Sequence, residues 1–105
     1  MGVVLVVGHL TEDKIEESAR LGGAAAYVSL LAQRMGHDVR LHTAVPESFP
    51  YLDQLPVSFH IQPVRRATCF ALEYTADKRS LELLHLAKLL DTSAAGLYRL
   101  FRNCA

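Results

Sequence analysis

Gly22 and Gly23 stand immediately before a run of helix-forming residues, and that position has chemical consequences. The first backbone N–H groups of a helix lack internal partners, the positive end of the helix dipole collects there, and residues without Cβ let a ligand approach the main chain. A hydroxyl-rich or anionic ligand suits such a site, although an isolated Gly-Gly more often only turns the chain into its helix. Asp13 is the second candidate, closing the segment Gly8-His9-Leu10-Thr11-Glu12-Asp13. A carboxylate can accept hydrogen bonds from two neighbouring hydroxyls, the usual grip on a sugar or polyol. Its plainer role is a helix cap, or a solvated acid among Glu12, Glu16 and Glu17.

Other chemistry finds little support. Neither Gly-x-Gly-x-x-Gly nor a phosphate loop ending in Gly-Lys-Ser/Thr occurs, which removes nucleotide binding by those routes. The histidines at 9, 37, 42, 60 and 85 show no helical i, i+4 spacing and no cysteine-rich partner, so no metal site is expected. Cys69, among apolar neighbours, reads as a core filler, and no Ser-His-Asp or Cys-His arrangement stands out. Arg65-Arg66 reads first as an exposed basic pair, with help in holding an anion as the lesser alternative.

The elements that must position these residues follow from periodicity. Val3 to Val7 is a β-branched apolar run ending at Gly8, the pattern of a strand buried on both faces of a parallel sheet. Thr11 to Glu17 is polar and acid-rich, and is expected to be a loop with at most a short helical turn. It follows the carboxyl end of the first strand, where open α/β sheets bind ligands. Ala24 to Met35 predicts a helix stopped by Gly36, with Ala24, Val28, Leu31 and Met35 on the face that should meet the sheet. His37 to Ala44 alternates as a second strand, which makes a strand–helix–strand unit and hence a parallel pair. Phe49, Tyr51, Leu52 and Leu55, broken up by prolines, predict an irregular helical turn over a core edge. Val57 to Val64 alternates as a third strand. Ala67 to Tyr74 and Arg79 to His85 predict a β-hairpin across Thr75-Ala76-Asp77-Lys78. Ala94 to Arg102 has the pattern of a short amphipathic helix.

Composition bounds the partners. The chain has 105 residues, half of them apolar, with eleven basic and eleven acidic side chains. That is one domain's worth of chain, with enough apolar content for a packed core. A balanced charge removes the sequence-independent attraction that nucleic acid or an anionic membrane would need. No apolar run approaches the roughly 20 residues that span a bilayer, and two cysteines make no disulfide framework, so a cytoplasmic address is expected.

Taken together, the strand, Gly8 to Asp13, Gly22-Gly23 at a helix start, Met-Gly-His-Asp-Val-Arg-Leu-His-Thr-Ala (35–44) and Ala-Thr-x-Phe-Ala-Leu-Glu-Tyr (67–74) resemble the N-terminal part of the ribokinase, or PfkB, family of carbohydrate kinases. The resemblance covers about Val3 to His85. It implies an α/β fold, a partial ribokinase-like three-layer sandwich with a mainly parallel sheet and a β-hairpin. Residues 1–89 would be the N-terminal part of the kinase domain and 90–105 a divergent tail. In that family the matching Asp binds substrate hydroxyls and the Gly-Gly backbone lines the same pocket. Asp13, Gly22, Gly23, Thr11 and Thr68 are therefore the substrate-binding residues that the resemblance implies. Tyr27 stands where the family's sugar-binding motif usually has Asn.

Two departures sharpen this reading. Ribokinases proper carry lid strands in a longer insertion between the Asp motif and Gly-Gly, whereas eight residues separate Asp13 from Gly22, so the lid is expected to be reduced or absent, as in the inositol-kinase-like branch. The family's catalytic base lies in a Gly-Ala-Gly-Asp motif in the C-terminal half, beside the ATP site, and that motif does not occur in these residues. Phosphoryl transfer depends on positioning, electrostatic stabilisation and a base. The expectation is a substrate-binding portion of a sugar or polyol kinase, inactive alone. ATP and Mg²⁺ serve the full-length family, and no cofactor is expected for this chain by itself. Neither nucleic acid nor membrane is an expected partner, and an exposed sheet edge invites self-association. The alternative is a non-catalytic α/β binding or interaction module.

Overall fold

The computed structural model describes residues 2–75 and 77–90. The elements run β1 (Val3–Val7), β2 (Thr11–Ile15), β3 (Ser18–Gly22), α1 (Ala24–Arg34), β4 (Asp38–Val45), a 3₁₀ turn (Leu52–Gln54), β5 (Ser58–Pro63), β6 (Thr68–Tyr74) and β7 (Arg79–His85). They form two sheets. The first has the order β1-β4-β5, with both pairs parallel. The second has the order β3-β2-β6-β7, in which β2 and β6 run parallel while β2–β3 and β6–β7 are antiparallel hairpins. This is the expected α/β class with a mainly parallel sheet and a hairpin at β6–β7. The expected helix at 94–102 lies outside the described residues.

β4 is the central strand of the first sheet, and its composition reflects that place. Val39, Leu41, Thr43 and Val45 are buried, together with Val6 of β1 and with Phe49 and Leu55 around the 3₁₀ turn. The turn segment covers a core edge, as its apolar residues require. Within the β1–β2 connection, the buried Leu10 donates its N–H to Thr43 Oγ1 at 2.9 Å, which satisfies a main-chain donor that would otherwise be stranded in the core.

Helix α1 ends as Gly36 predicts. Gly36 has φ 91°, its N–H bonds Gln33 O, and the His37 N–H reaches back to Ala32 O at 3.1 Å, the paired bonds of a Schellman stop. The face it buries corrects the sequence reading. Ala25, Ala26 and Ser29 are buried, with Leu30 and Ala32 packed beside the core. Val28 is 51%, Leu31 61% and Met35 67% exposed. The helix has apolar residues all round, so periodicity alone does not choose a side. Close approach does: a Cβ at Gly8 would lie 3.1 Å from Ala25 Cβ, and only the small-residue face of α1 can come that near to the end of β1.

The second correction lies at residues 11–22. Thr11 to Ile15 is a strand, not a loop, and with Ser18 to Gly22 it makes a hairpin whose two-residue turn is Glu16-Glu17. Glu16 takes φ 54°, in the left-handed region. The eight residues between Asp13 and Gly22, expected to leave a reduced or absent lid, are the end of β2, its turn and most of β3, in a hairpin over residues 11–22 that joins β6 and β7 in a four-stranded sheet. Acidic and basic residues have low intrinsic strand preference, and here the pairing of β2 with β6 supplies what local propensity does not.

Candidate functional site

The parallel register sets Thr11 opposite Thr68, and Asp13 opposite Phe70 on β6 and Arg20 on β3. Alternation then puts Thr11, Asp13, Arg20, Phe70 and Tyr74 on one face of the second sheet. Thr11 Oγ1 donates to Asp13 Oδ1 at 2.9 Å, fixing the carboxylate. The same carboxylate lies over Gly22, where an added Cβ would overlap its oxygens. Gly23 has φ 95°, and a Cβ there would sit 2.8 Å from the His9 carbonyl oxygen. Each glycine thus has its own physical reason: Gly22 leaves room for the Asp13 side chain, and Gly23 takes a backbone conformation and an approach to the main chain that a side chain would obstruct.

Gly23 is also the residue from which α1 starts. The helix has no side-chain cap and no acid in its first turn, and Gly23 and Ala24 border a cleft of about 260 Å³. Thr11 and Asp13 form its floor with Arg20 beside them, and Tyr27 of α1 stands at its rim. Phe70 and Tyr74 of β6 and Arg79 and Leu81 of β7 continue the same sheet face and complete its lining. A fixed carboxylate that still offers acceptor capacity, a helix N-terminus and aromatic surface are what binding of a hydroxylated molecule needs.

The five residues singled out from the sequence do not all meet the cleft in the same way. Thr11, Asp13 and Gly23 line it, and Gly22 lies directly beneath the Asp13 carboxylate. Thr68 is buried: its Oγ1 accepts the Ala87 N–H at 3.0 Å and lies 3.3 Å from His9 Nδ1. It secures the segment after β7 and the loop after β1, and does not line the cleft. Sequence reasoning passed over Arg20, Phe70, Tyr74 and Arg79. Their signal was alternation within β3, β6 and β7, which points inward only once the β2–β6 pairing is known.

The opposite face of the same sheet is chemically distinct. Tyr51 Oη donates to Glu12 Oε2 at 3.0 Å, and burial, then this hydrogen bond and the charge of Glu12, push the Tyr51 hydroxyl above its ordinary value. Cys69 is a free, buried thiol, raised chiefly by desolvation and partly offset by Lys14, which makes it a packing residue and a poor nucleophile. Among the described residues no group of three or more His, Cys, Asp or Glu side chains converges on a metal position, and no helix is long and apolar enough to cross a membrane.

Compared with protein-family models and with curated proteins, the sequence matches none. Solved structures do match. The chain superposes on the fructokinase of Halothermothrix orenii with a TM-score of 0.70 at 15% identity, covering 96% of this chain and 44% of that one. A pyrophosphate-dependent kinase in the ribokinase family, complexed with a pyrophosphate analog and myo-inositol, matches with a TM-score of 0.64 at 14% identity over 91% of this chain and 36% of that one. An uncharacterized sugar kinase from Pyrococcus horikoshii, in complex with ATP, matches with a TM-score of 0.63 at 18% identity over 81% and 35%. The fold is therefore a partial ribokinase-like fold. The chain spans less than half the length of each of these kinases.

Proposed function

We propose that this chain is the substrate-binding portion of a ribokinase-like carbohydrate kinase, taking a sugar or polyol in the cleft between α1 and the second sheet. The observation that carries this reading is the Asp13 carboxylate, oriented by Thr11, laid over Gly22 and facing a cleft bordered by the helix start at Gly23. In this reading Asp13 accepts hydrogen bonds from adjacent ligand hydroxyls, while the first main-chain N–H groups of α1 stabilise a hydroxyl oxygen or an anion. The similarity to a kinase complexed with myo-inositol supports a polyol as the ligand class.

In the family this chain resembles, ATP with Mg²⁺ is the usual source of the phosphoryl group, and one kinase that shares the fold is pyrophosphate-dependent instead. The residues described here do not fit either group: they offer no converging metal ligands, and the sequence contains neither a phosphate loop nor a Gly-Ala-Gly-Asp motif. The chemistry assigned to this chain is therefore binding and orientation of the acceptor hydroxyl. Residues 1–89 carry that role and 90–105 lie beyond it.

Titration calorimetry of the purified chain with myo-inositol and with fructose tests the reading. Saturable binding of either, weakened at least tenfold in Asp13→Ala, is the expected result. No binding of any sugar or polyol, or binding indifferent to Asp13→Ala, overturns it. ATP-dependent phosphorylation by the 105-residue chain would overturn the restriction to binding.

A further inference from the structure

The second sheet is attached to the rest of the fold along one line. Thr11 at the start of β2 is level with Gly22 at the end of β3 and with Thr68 at the start of β6, so the chain enters or leaves these strands at the same edge. The Ala87 N–H bonds Thr68 Oγ1 there, which brings the chain after β7 to that edge as well. The bond from the Leu10 N–H to Thr43 Oγ1 and the contact of Thr68 Oγ1 with His9 Nδ1 lie at the same place. A sheet held along one edge by its connections turns about that edge, as hinges at element ends do.

Tyr51 makes a contact of another kind. Its ring packs beside the core of the first sheet and edge-on to Phe49, with ring centroids 5.1 Å apart, and its hydroxyl donates to Glu12 Oε2 at 3.0 Å. Alternation along β2 puts Glu12 on the face opposite Thr11 and Asp13, so this bond holds the sheet from behind, on the side away from the cleft. A hollow of about 210 Å³ lies there, lined by Glu12 and Cys69 of the second sheet and by Phe49 and Pro50 facing them.

The two sides of the sheet therefore oppose each other. Turning the sheet toward α1 narrows the cleft and carries Glu12 away from Tyr51. With the carboxylate roughly 5 Å behind the line, a turn of about 15° moves it about 1.3 Å, which takes the 3.0 Å bond beyond hydrogen-bond length. We infer that the Tyr51–Glu12 bond is a latch that keeps the cleft open, and that a ligand drawing α1 and the second sheet together has to break it. The apparent affinity of such a ligand is reduced by the fraction of chains that are closed without it. Tyr51 is thus a positioning residue: it touches no ligand and acts through Glu12 on a site across the sheet. The effect on affinity rests on the polyol-binding reading above, whereas the latch itself does not.

Two measurements test the latch, one of them without ligand. Spin labels at Leu31→Cys on α1 and Lys78→Cys at the tip of the β6–β7 hairpin, both exposed positions, read the width of the cleft by double electron–electron resonance in a chain carrying Cys69→Ala and Cys104→Ala. Tyr51→Phe keeps the ring and its packing on Phe49 and removes the donor. In the ligand-free chain, Tyr51→Phe and Glu12→Ala should each add a population at shorter distance. Glu12→Gln, whose amide oxygen still accepts the bond, should keep the parent distribution. In calorimetry with myo-inositol, Tyr51→Phe and Glu12→Ala should each bind at least threefold more tightly than the parent, and the double variant no more tightly than either. A contact that only supported the fold would weaken binding on removal or leave it unchanged. Distances unchanged in Tyr51→Phe and Glu12→Ala overturn the latch, and so does myo-inositol binding that is equal or weaker in both variants. Shorter distances in a chain that binds no polyol uphold the latch and overturn the polyol reading.

Discussion

Gly22→Ala and Gly23→Ala make the most informative pair of changes, because the two glycines exclude a side chain for different reasons. At Gly22 the new methyl would overlap all three outer atoms of the Asp13 side chain. That carboxylate is the end of a rotatable side chain, so it can swing away. The cost is the Thr11–Asp13 hydrogen bond, about 1.5–3 kcal/mol for a bond to a charged group when buried and less at this half-buried position, partly offset by new solvation of the carboxylate. We expect a loss of stability near 1 kcal/mol in Gly22→Ala. Ligand affinity should fall more than tenfold, since each 1.4 kcal/mol of lost binding is a factor of ten and the hydroxyl acceptor has left its place. At Gly23 the obstacle is the His9 carbonyl oxygen at 2.8 Å, together with φ 95°. Main chain cannot swing aside, so Gly23→Ala should lose about 2–3 kcal/mol of stability. Guanidinium denaturation reads the stabilities and calorimetry with myo-inositol reads the binding. The reasoning is refuted if Gly22→Ala binds like the parent chain, or if it is destabilised more than Gly23→Ala.

Three further outcomes follow from other positions. Glu16→Gly should raise stability by about 0.5–1 kcal/mol, because a left-handed conformation costs an ordinary residue more than glycine loses in chain entropy; a higher denaturation midpoint checks this. Thr68→Val keeps the shape but removes the acceptor of the Ala87 N–H, and should cost about 1–3 kcal/mol with enhanced amide exchange at Ala87. The raised Cys69 thiol and Tyr51 hydroxyl keep their protons in the folded chain at pH values where the unfolded chain has begun to release them. Stability is therefore complete below the ordinary thiol range and declines as pH rises through it, and denaturation curves for Cys69→Ala from pH 7 to 10 should show a shallower decline.

Much of the architecture was legible because it is written in local pattern. β1 is an unbroken apolar run rich in valine, Gly36 marks the end of α1 by its left-handed backbone, and the β6–β7 hairpin brackets a polar connection. The strand from Thr11 to Ile15 was not legible, because its residues are polar on both faces and its partner lies beyond residue 67. The helix face was misread because α1 is apolar all round and the choice was made by crowding at Gly8. Asp13, Gly22 and Gly23 were singled out through the order of elements around them, and the structure brings them together at one cleft. Arg20 and Arg79 were not, since nothing local distinguishes a cleft-facing arginine on an edge strand from a solvated one.

The parallel pairing of β2 with β6 also governs when the cleft can exist. His9 and Thr68, in contact across this junction, are 59 positions apart in the chain. β1, α1 and β4 associate through the crossover of residues 8–37, whereas the floor of the cleft must wait for a longer stretch of chain to close before its strand contacts compensate the lost entropy. Folding should therefore proceed with the first sheet ahead of the second, and binding competence should appear in the slowest phase. By the same logic, mild denaturant should empty the cleft before it disrupts β4.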